Sequence, residues 1–305
     1  MSLDHALAPP PQATRPLAAA LWMLGSVASF SIMAVAVRQM GHVHDTFEVM
    51  AWRSMIGLVL VVLGSAAWGR LGDIRAQRLH RHLLRNLLHF TGQNLWFYAM
   101  MTVPLAQVFA LEFTAPIWVI LLSPLVFAEK LTAPRLVAAG LGFVGILLVT
   151  RPDFSMMNAG TLAAIACGFF FASTALMTKS LTRAESIVSI LFWLTLMQLI
   201  FGFIMAGYDG EMMLPTAQSL PWLCVIGLAG VTAHLCLTSA LSLAPASFVM
   251  PIDFIRLPLI AVIGALAYGE AIDPFVIAGG GIIFAGNWIN LAFGPRAGTK
   301  VTPPS

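Results

Sequence analysis

Residues 104–113 read Pro-Leu-Ala-Gln-Val-Phe-Ala-Leu-Glu-Phe, and residues 245–254 read Pro-Ala-Ser-Phe-Val-Met-Pro-Ile-Asp-Phe. Pro104 meets Pro245, Val108 meets Val249, Phe113 meets Phe254, and the acid Glu112 meets the acid Asp253, all at a shift of 141 positions. Carried outward in both directions, the shift needs no gap. It aligns Phe30 with Phe171, Trp52 with Trp193, Thr91 with Thr232, Glu129 with Glu270, Gly145 with Gly286, and Arg38 with Lys179. Shared apolar composition scatters Leu and Ala matches; it does not align Trp, Pro and acids. The chain is an internal duplication.

The duplicated chain is also unusually apolar: 59% hydrophobic, 10% charged, with a mean hydropathy of +0.88. That composition excludes an ordinary soluble domain. Ten segments approach or exceed the roughly 17–25 apolar residues that cross a bilayer. They are 17–37, 47–68, 83–103, 106–127, 136–150, 159–178, 186–206, 220–241, 246–268 and 274–293. The fifth is short and the third unusually polar. Backbone groups cannot stay unpaired in lipid, so the segments are helices or barrel strands, and they are too long and too little alternating for strands. The expected fold is an all-α integral membrane protein of ten transmembrane helices.

Charge sets the orientation. Twelve of the sixteen Lys and Arg residues fall on one side, in its tails and loops or, for Arg85, at the near end of a span: Arg15, Arg70, Arg75, Arg78, Arg81, Arg85, Lys130, Arg135, Lys179, Arg183, Arg296 and Lys300. The opposite loops hold Arg38 and Arg151, and Arg53 and Arg256 lie inside spans. The basic side is expected to be cytoplasmic, with both termini inside a bacterial-type inner membrane. Five spans per half is an odd number, so the two halves must be inverted repeats. Related halves can rock about a site between them, which points to a transporter. The net charge of +3 is a topology signal and calls for no nucleic-acid partner.

The organisation expected is a flexible cytoplasmic tail at 1–16, a first five-helix repeat at 17–151, a second at 158–293, and a cytoplasmic tail at 294–305. The N-terminal tail lacks the basic region and small-residue cleavage site of a signal peptide. Cys167, Cys224 and Cys236 stand in spans at unrelated spacings and read as buried thiols, with no disulfide framework and no metal set. No Gly-rich phosphate loop follows a strand, so no cofactor and no ATP-driven engine is expected.

The most specific local pattern closes each half. It runs from Phe127-Ala-Glu129 through Gly140, Gly142, Phe143 and Gly145, and again from Tyr268-Gly-Glu270 through Gly281, Phe284 and Gly286. With Arg53 in the second span and the ten-span layout, these stretches resemble the EamA-like family of the drug/metabolite transporter superfamily over residues 17–293. Leu194 stands opposite Arg53 in the repeat, so the site is expected to be asymmetric. Each Glu follows a helix end and can accept from the amides opening the next helix, and the glycines allow close helix packing. The resemblance implies that the fifth and tenth helices lie outside the substrate cavity, as support or as contacts of a homodimer.

Ionisable groups inside a span cost roughly 2.5–3.5 kcal/mol each and therefore face the bundle interior. Arg85, His89, Gln93 and Trp96 recur at spacings of four, four and three, forming one stripe of the third helix. Cavity lining competes here with interhelical hydrogen bonding, and Arg85 has the further option of snorkelling to the surface. Glu112 precedes Pro116, whose missing amide frees the Glu112 carbonyl, so helix and acid are disturbed together. Its alternative is a structural pair with Arg53. In the ninth span Asp253 and Arg256, three apart, form either a self-neutralising pair or a zwitterion site. His234 is the repeat partner of Gln93 and joins the candidates, with Arg53, Trp96 and Phe113, the aromatics supplying a stacking surface.

The leading expectation is a secondary transporter of a small organic metabolite, an amino acid or related compound, in the export direction. The runner-up is uptake of a planar vitamin such as riboflavin, for which an aromatic, amide- and His-lined cavity is suited. A membrane-embedded enzyme would need a His-x-x-x-His pair or clustered acids at one interface, and neither occurs in a span. A non-transporting scaffold would show no solute flux. The expected partners are a small-molecule substrate and the lipid bilayer.

Overall fold

Helix boundaries follow the local chemistry. Pro16 opens α1 (Pro16–Met40), where its missing amide costs nothing. Asp45 caps α2 (Thr46–Ala67) in a reciprocal box with Glu48: Asp45 Oδ1 accepts from Glu48 N at 2.8 Å, and Glu48 Oε2 accepts from Asp45 N at 3.1 Å. Then come α3 (Leu79–Thr102), α4 (Leu105–Glu112), α5 (Ala115–Phe127) and α6 (Ala133–Thr150). The second half holds α7 (Ala159–Leu181), capped by Asn158, and α8 (Ile187–Ala206), capped by Ser186. It continues with α9 (Leu220–Leu243), α10 (Ala246–Val249), a 3₁₀ segment at Met250–Ile255, α11 (Arg256–Tyr268) and α12 (Pro274–Phe293). This computed structural model describes residues 15–75, 77–127, 133–150, 158–208, 212–244, 246–271 and 273–293, and no strand occurs among them. Most of both tails, with Glu129, Lys130 and Arg151, falls outside the described residues.

Among the described residues, six helical stretches are long and apolar enough to cross a membrane: Pro16–Met40, Thr46–Ala67, Leu105–Leu122, Ala159–Leu181, Ile187–Ala206 and Leu220–Leu243. α3 has the length but is too polar, and the fifth, ninth and tenth expected spans carry shorter apolar runs. Two expected spans are interrupted. The segment at 106–127 is not one helix: α4 stops at Glu112, and the turn at Phe113 and Thr114 separates it from α5. The segment at 246–268 breaks likewise through its 3₁₀ stretch. Glu112 therefore ends a helix instead of sitting within one.

Packing runs mainly between the halves. α1 packs on α9 and α3 on α7; the 141-residue shift turns the first pairing into the second. α2 packs on α8, and α6 on α12, each pairing mapping onto itself. Matching residues make matching contacts. Trp52 Nε1 donates to the Met213 carbonyl (3.1 Å), and its partner Trp193 donates to the Arg75 carbonyl (2.7 Å), each reaching the loop of the other half. At α6–α12, a Cβ on Gly145 would lie 2.7 Å from the Gly279 carbonyl, and one on Gly286 would lie 2.9 Å from the Ala138 carbonyl. Close backbone approach requires glycine at both positions. Gly140 and Gly281 face open space, so the packing role expected of them is not there.

Two further expectations are corrected. Glu270 does not serve the next helix: its Oε2 accepts from Leu105 N (3.0 Å), the first amide of α4, and its Oε1 pairs with Arg38. Cys167 and Cys236 are buried, but Cys224 is exposed.

Candidate functional site

The polar stripe of α3 faces inward. His89, Gln93 and Trp96 are buried beside Arg85, and all four line a cavity of about 760 Å³, including its open mouth. Both halves contribute walls, from α1, α3, α4, α7, α9, the 3₁₀ segment and α11. The structure places His89, Gln93, Trp96, Glu112, Phe113, His234, Asp253 and Arg256 around this cavity. Arg53 is not part of its lining. It is buried behind it, with Nη1 4.0 Å from Met33 Sδ and its guanidinium 5.9 Å from the centre of the Phe97 ring.

One end is organised by the two helix breaks. Arg256 begins α11, and its Nη2 donates to Glu112 Oε1 at 2.7 Å and to Asp253 Oδ2. The partner of Glu112 is thus Arg256, not Arg53. Trp96 Nε1 donates to the other Glu112 oxygen at 2.6 Å, so the indole positions the acid more than it offers a free stacking face. Phe30, Phe109 and Phe113 surround the Arg256 guanidinium with ring centres 5.2, 4.8 and 5.6 Å away. Desolvated cation–π contacts of this kind are worth about 2 kcal/mol or more. The broken turn is crowded by α7: a Cβ on Gly168 would lie 3.4 Å from the carbonyls of Leu111 and Glu112.

The other end is built on unbroken helices. His89 of α3 and His234 of α9 meet edge to face, with ring centres 4.7 Å apart. Phe171 lies 6.2 Å from the His89 ring centre and Phe30 lies 5.5 Å from that of His234, so a repeated aromatic pair flanks the histidine pair. Arg85 does not snorkel: it is buried, with Nε donating to Thr178 Oγ1 (3.1 Å) and Nη1 to Asn86 Oδ1 (2.8 Å). Both ring nitrogens of each histidine and Gln93 Nε2 have no hydrogen-bond partner among the described residues, and neither do Asp253 Oδ1 and Arg256 Nε. Buried polar atoms are normally paired. Here the uncommitted ones gather at a cavity, where a ligand can satisfy them.

Sequence reasoning had not placed Thr174, Thr178, Phe171 or Phe30 in the lining. The identity of Phe30 with Phe171 under the repeat was a usable signal for those two; the threonines, apolar enough to pass as helix surface, gave none. Among the described residues no cluster of three His, Cys, Asp or Glu has metal-site geometry.

Known proteins place this architecture. A model of the EamA-like transporter family matches the chain twice, at residues 17–151 and 158–292. The chain is 32% identical to a protein named riboflavin transporter from Vibrio cholerae serotype O1, over 83% of this chain and 86% of that one. It is also 32% identical to a riboflavin transporter of Brucella anthropi, over 72% and 78% of the two chains. An S-adenosylmethionine uptake transporter of Rickettsia conorii is 24% identical over 86% and 88%. A crystal structure 16% identical in sequence shares the fold, with a TM-score of 0.66 over 90% of this chain and 96% of that one. The doubled match and the six apolar helices identify the chain as a multi-pass membrane protein belonging to the EamA-like transporter family.

Proposed function

We propose that this protein is a secondary transporter that takes up a planar heterocyclic metabolite of the flavin type, by alternating access between its two halves. The observation that carries the reading is the cavity between the halves, aromatic in its walls, with buried donors and acceptors that no group among the described residues satisfies. A ring system bearing several carbonyl and N–H groups matches such a lining, because apolar area and hydrogen bonds are supplied together. The riboflavin transporters among the relatives support the same class. Uptake of a planar vitamin is thereby preferred to export of an amino acid. The zwitterion site has also lost its main anchor, since Arg256 already serves two carboxylates.

The same proposal includes ten membrane crossings in two inverted five-helix repeats, at 17–151 and 158–293, with the basic side and both tails cytoplasmic in the inner membrane. The Arg38–Glu270 pair ties α1 to α11 on the outer side, while the cavity lining extends to Met23, Arg85 and Thr178 near the inner ends. A second copy of the chain along α6 and α12 completes the proposal.

Proteoliposomes preloaded with unlabelled riboflavin test the substrate. Labelled riboflavin should accumulate by counterflow, saturably, and empty liposomes should show none. Folded protein that fails to move riboflavin while its expression confers tolerance to toxic amino-acid analogues would restore the export reading. Single cysteines at Gly69 and Gly210 test the topology; the first should react only from the cytoplasmic side and the second only from outside.

A further inference from the structure

The two ends of the cavity differ in charge balance. At the broken-helix end, one guanidinium meets two carboxylates. At the other end, no carboxylate among the described residues lies within 4.0 Å of Arg85 or of Arg53 behind it. Arg85 is 2% exposed, and its hydrogen bonds to Thr178 and Asn86 use Nε and Nη1, with none from Nη2. His89 and His234, 1% and 4% exposed, line the same end with all four ring nitrogens unpaired. A cation withdrawn from water without a counter-charge is costly, by several kcal/mol after relaxation. Neutral hydrogen-bond partners reduce that cost but leave the charge itself uncompensated. Arg85, His89 and His234 line this end together, and no carboxylate among the described residues pairs with Arg85.

The geometry points to an oxyanion subsite formed by Arg85, His89 and His234, which takes an acidic group carried by the heterocyclic substrate. It rests on the cavity assigned above as the substrate site and deepens that reading by naming a charged substituent. The planar ring would lie between Phe30 and Phe171, with Gln93 beside it. Along α3, Arg85 and Trp96 are eleven residues apart, roughly 16 Å at 1.5 Å per residue. That length separates the acidic group from the Glu112–Arg256–Asp253 end. A phosphate monoester, carrying about −1.5 to −2 charge at neutral pH, is the strongest such group; a carboxylate is the weaker form of the same chemistry.

Flavin fluorescence supplies the test on purified full-length protein in detergent. Binding of riboflavin is compared with binding of riboflavin 5′-phosphate, in the wild type, Arg85→Gln and Arg85→Lys. The wild type should prefer the phosphate by about tenfold or more, as charge-assisted hydrogen bonds to a buried guanidinium allow. The ratio should fall to about one in Arg85→Gln and stay above one in Arg85→Lys, which keeps the charge. Riboflavin binding with no phosphate preference, or a preference that survives Arg85→Gln, overturns the subsite and leaves the planar-substrate reading standing. Thermal unfolding in inorganic phosphate, against chloride at equal ionic strength, covers the case in which neither flavin binds. An upward shift present in the wild type and absent in Arg85→Gln then supports the subsite and removes the flavin reading. No such shift, with no flavin bound, overturns the subsite as well.

Discussion

The acids of the cavity are duplicated and its cations are not. Glu112 and Asp253 occupy equivalent positions of the two halves, each beside a break in its helix. Arg256 stands where the first half has Ala115, Arg85 where the second half has Ile226, and His89 where it has Gly230. The broken-helix end is therefore built on a feature both halves share, with one arginine added to neutralise it. At the histidine end the aromatic pair is shared, but the polar groups, Arg85, His89 and His234, all stand at positions where the halves differ. An alternating mechanism needs equivalent hinges, while recognition of an asymmetric solute needs unlike walls. The two ends divide those requirements between them.

Removing the shared arginine should break the comparison hardest. Arg256→Gln strands the buried Glu112 carboxylate and the part-buried Asp253 one, and loss of one partner from a buried pair costs about 3–5 kcal/mol. Little folded protein should survive gel filtration in detergent, and Arg256→Gln combined with Asp253→Asn and Glu112→Gln should recover it. Single removal of an acid is milder, because a neutral pair remains. Glu112→Gln keeps one carbonyl oxygen, which can accept from Arg256 or from Trp96 but not from both, and Asp253→Asn leaves the 2.7 Å Arg256–Glu112 contact in place. Each should cost about 1 kcal/mol, read from the unfolding midpoint. If the pair exchanges a proton during transport, both variants should also lose gradient-driven accumulation while still exchanging substrate at equal pH.

At the opposite end the sign changes. Arg85→Met removes an unneutralised cation and strands no acid, so stability should stay within about 1 kcal/mol of the wild type. What is lost is a hydrogen bond each to Thr178 and Asn86, set against the relief of a buried charge. A drop as large as that of Arg256→Gln would mean that Arg85 holds α3 to α7 and is no binding group. Sites kept for function are commonly tolerant in stability and sensitive in activity.

How far the sequence revealed this depends on the range of each contact. The duplication, the helical class and the α3 stripe rest on local spacing, and His89, Gln93 and Trp96 followed from it. The Asp253–Arg256 pair is three residues apart and was legible for the same reason. The Arg256–Glu112 bond joins positions 144 residues apart, in opposite halves, and no periodicity encodes it. Glu112 had two plausible cations in the spans, and only packing chose between them. Glu270 failed in the same way: the nearest free amides in sequence open α12, but its carboxylate reaches the amide that opens α4. Arg85 lies a turn and a half inside α3, so the cavity end and the surface were equally accessible until α7 brought Thr178 against it.

The smallest stability effect should come from Gln93, the residue whose repeat partner is His234. Its side chain is buried with Nε2 unpaired, so Gln93→Leu removes a polar group that gains nothing from the protein. Burying an unsatisfied amide costs about 1–3 kcal/mol by mutational measures, and leucine fills a similar volume with an apolar one. The unfolding midpoint should therefore stay level or rise, and membrane insertion should be undisturbed because hydrophobicity increases. Binding should move the other way. A heterocycle that accepts from Nε2 loses that bond and meets an apolar wall where its own polar edge needs a partner, for a loss of about tenfold in affinity. Titration of flavin fluorescence on Gln93→Leu, with the midpoint measured on the same preparation, separates the two effects. Unchanged affinity with a lowered midpoint would assign Gln93 to helix packing and leave the histidine pair as the recognition element of that end.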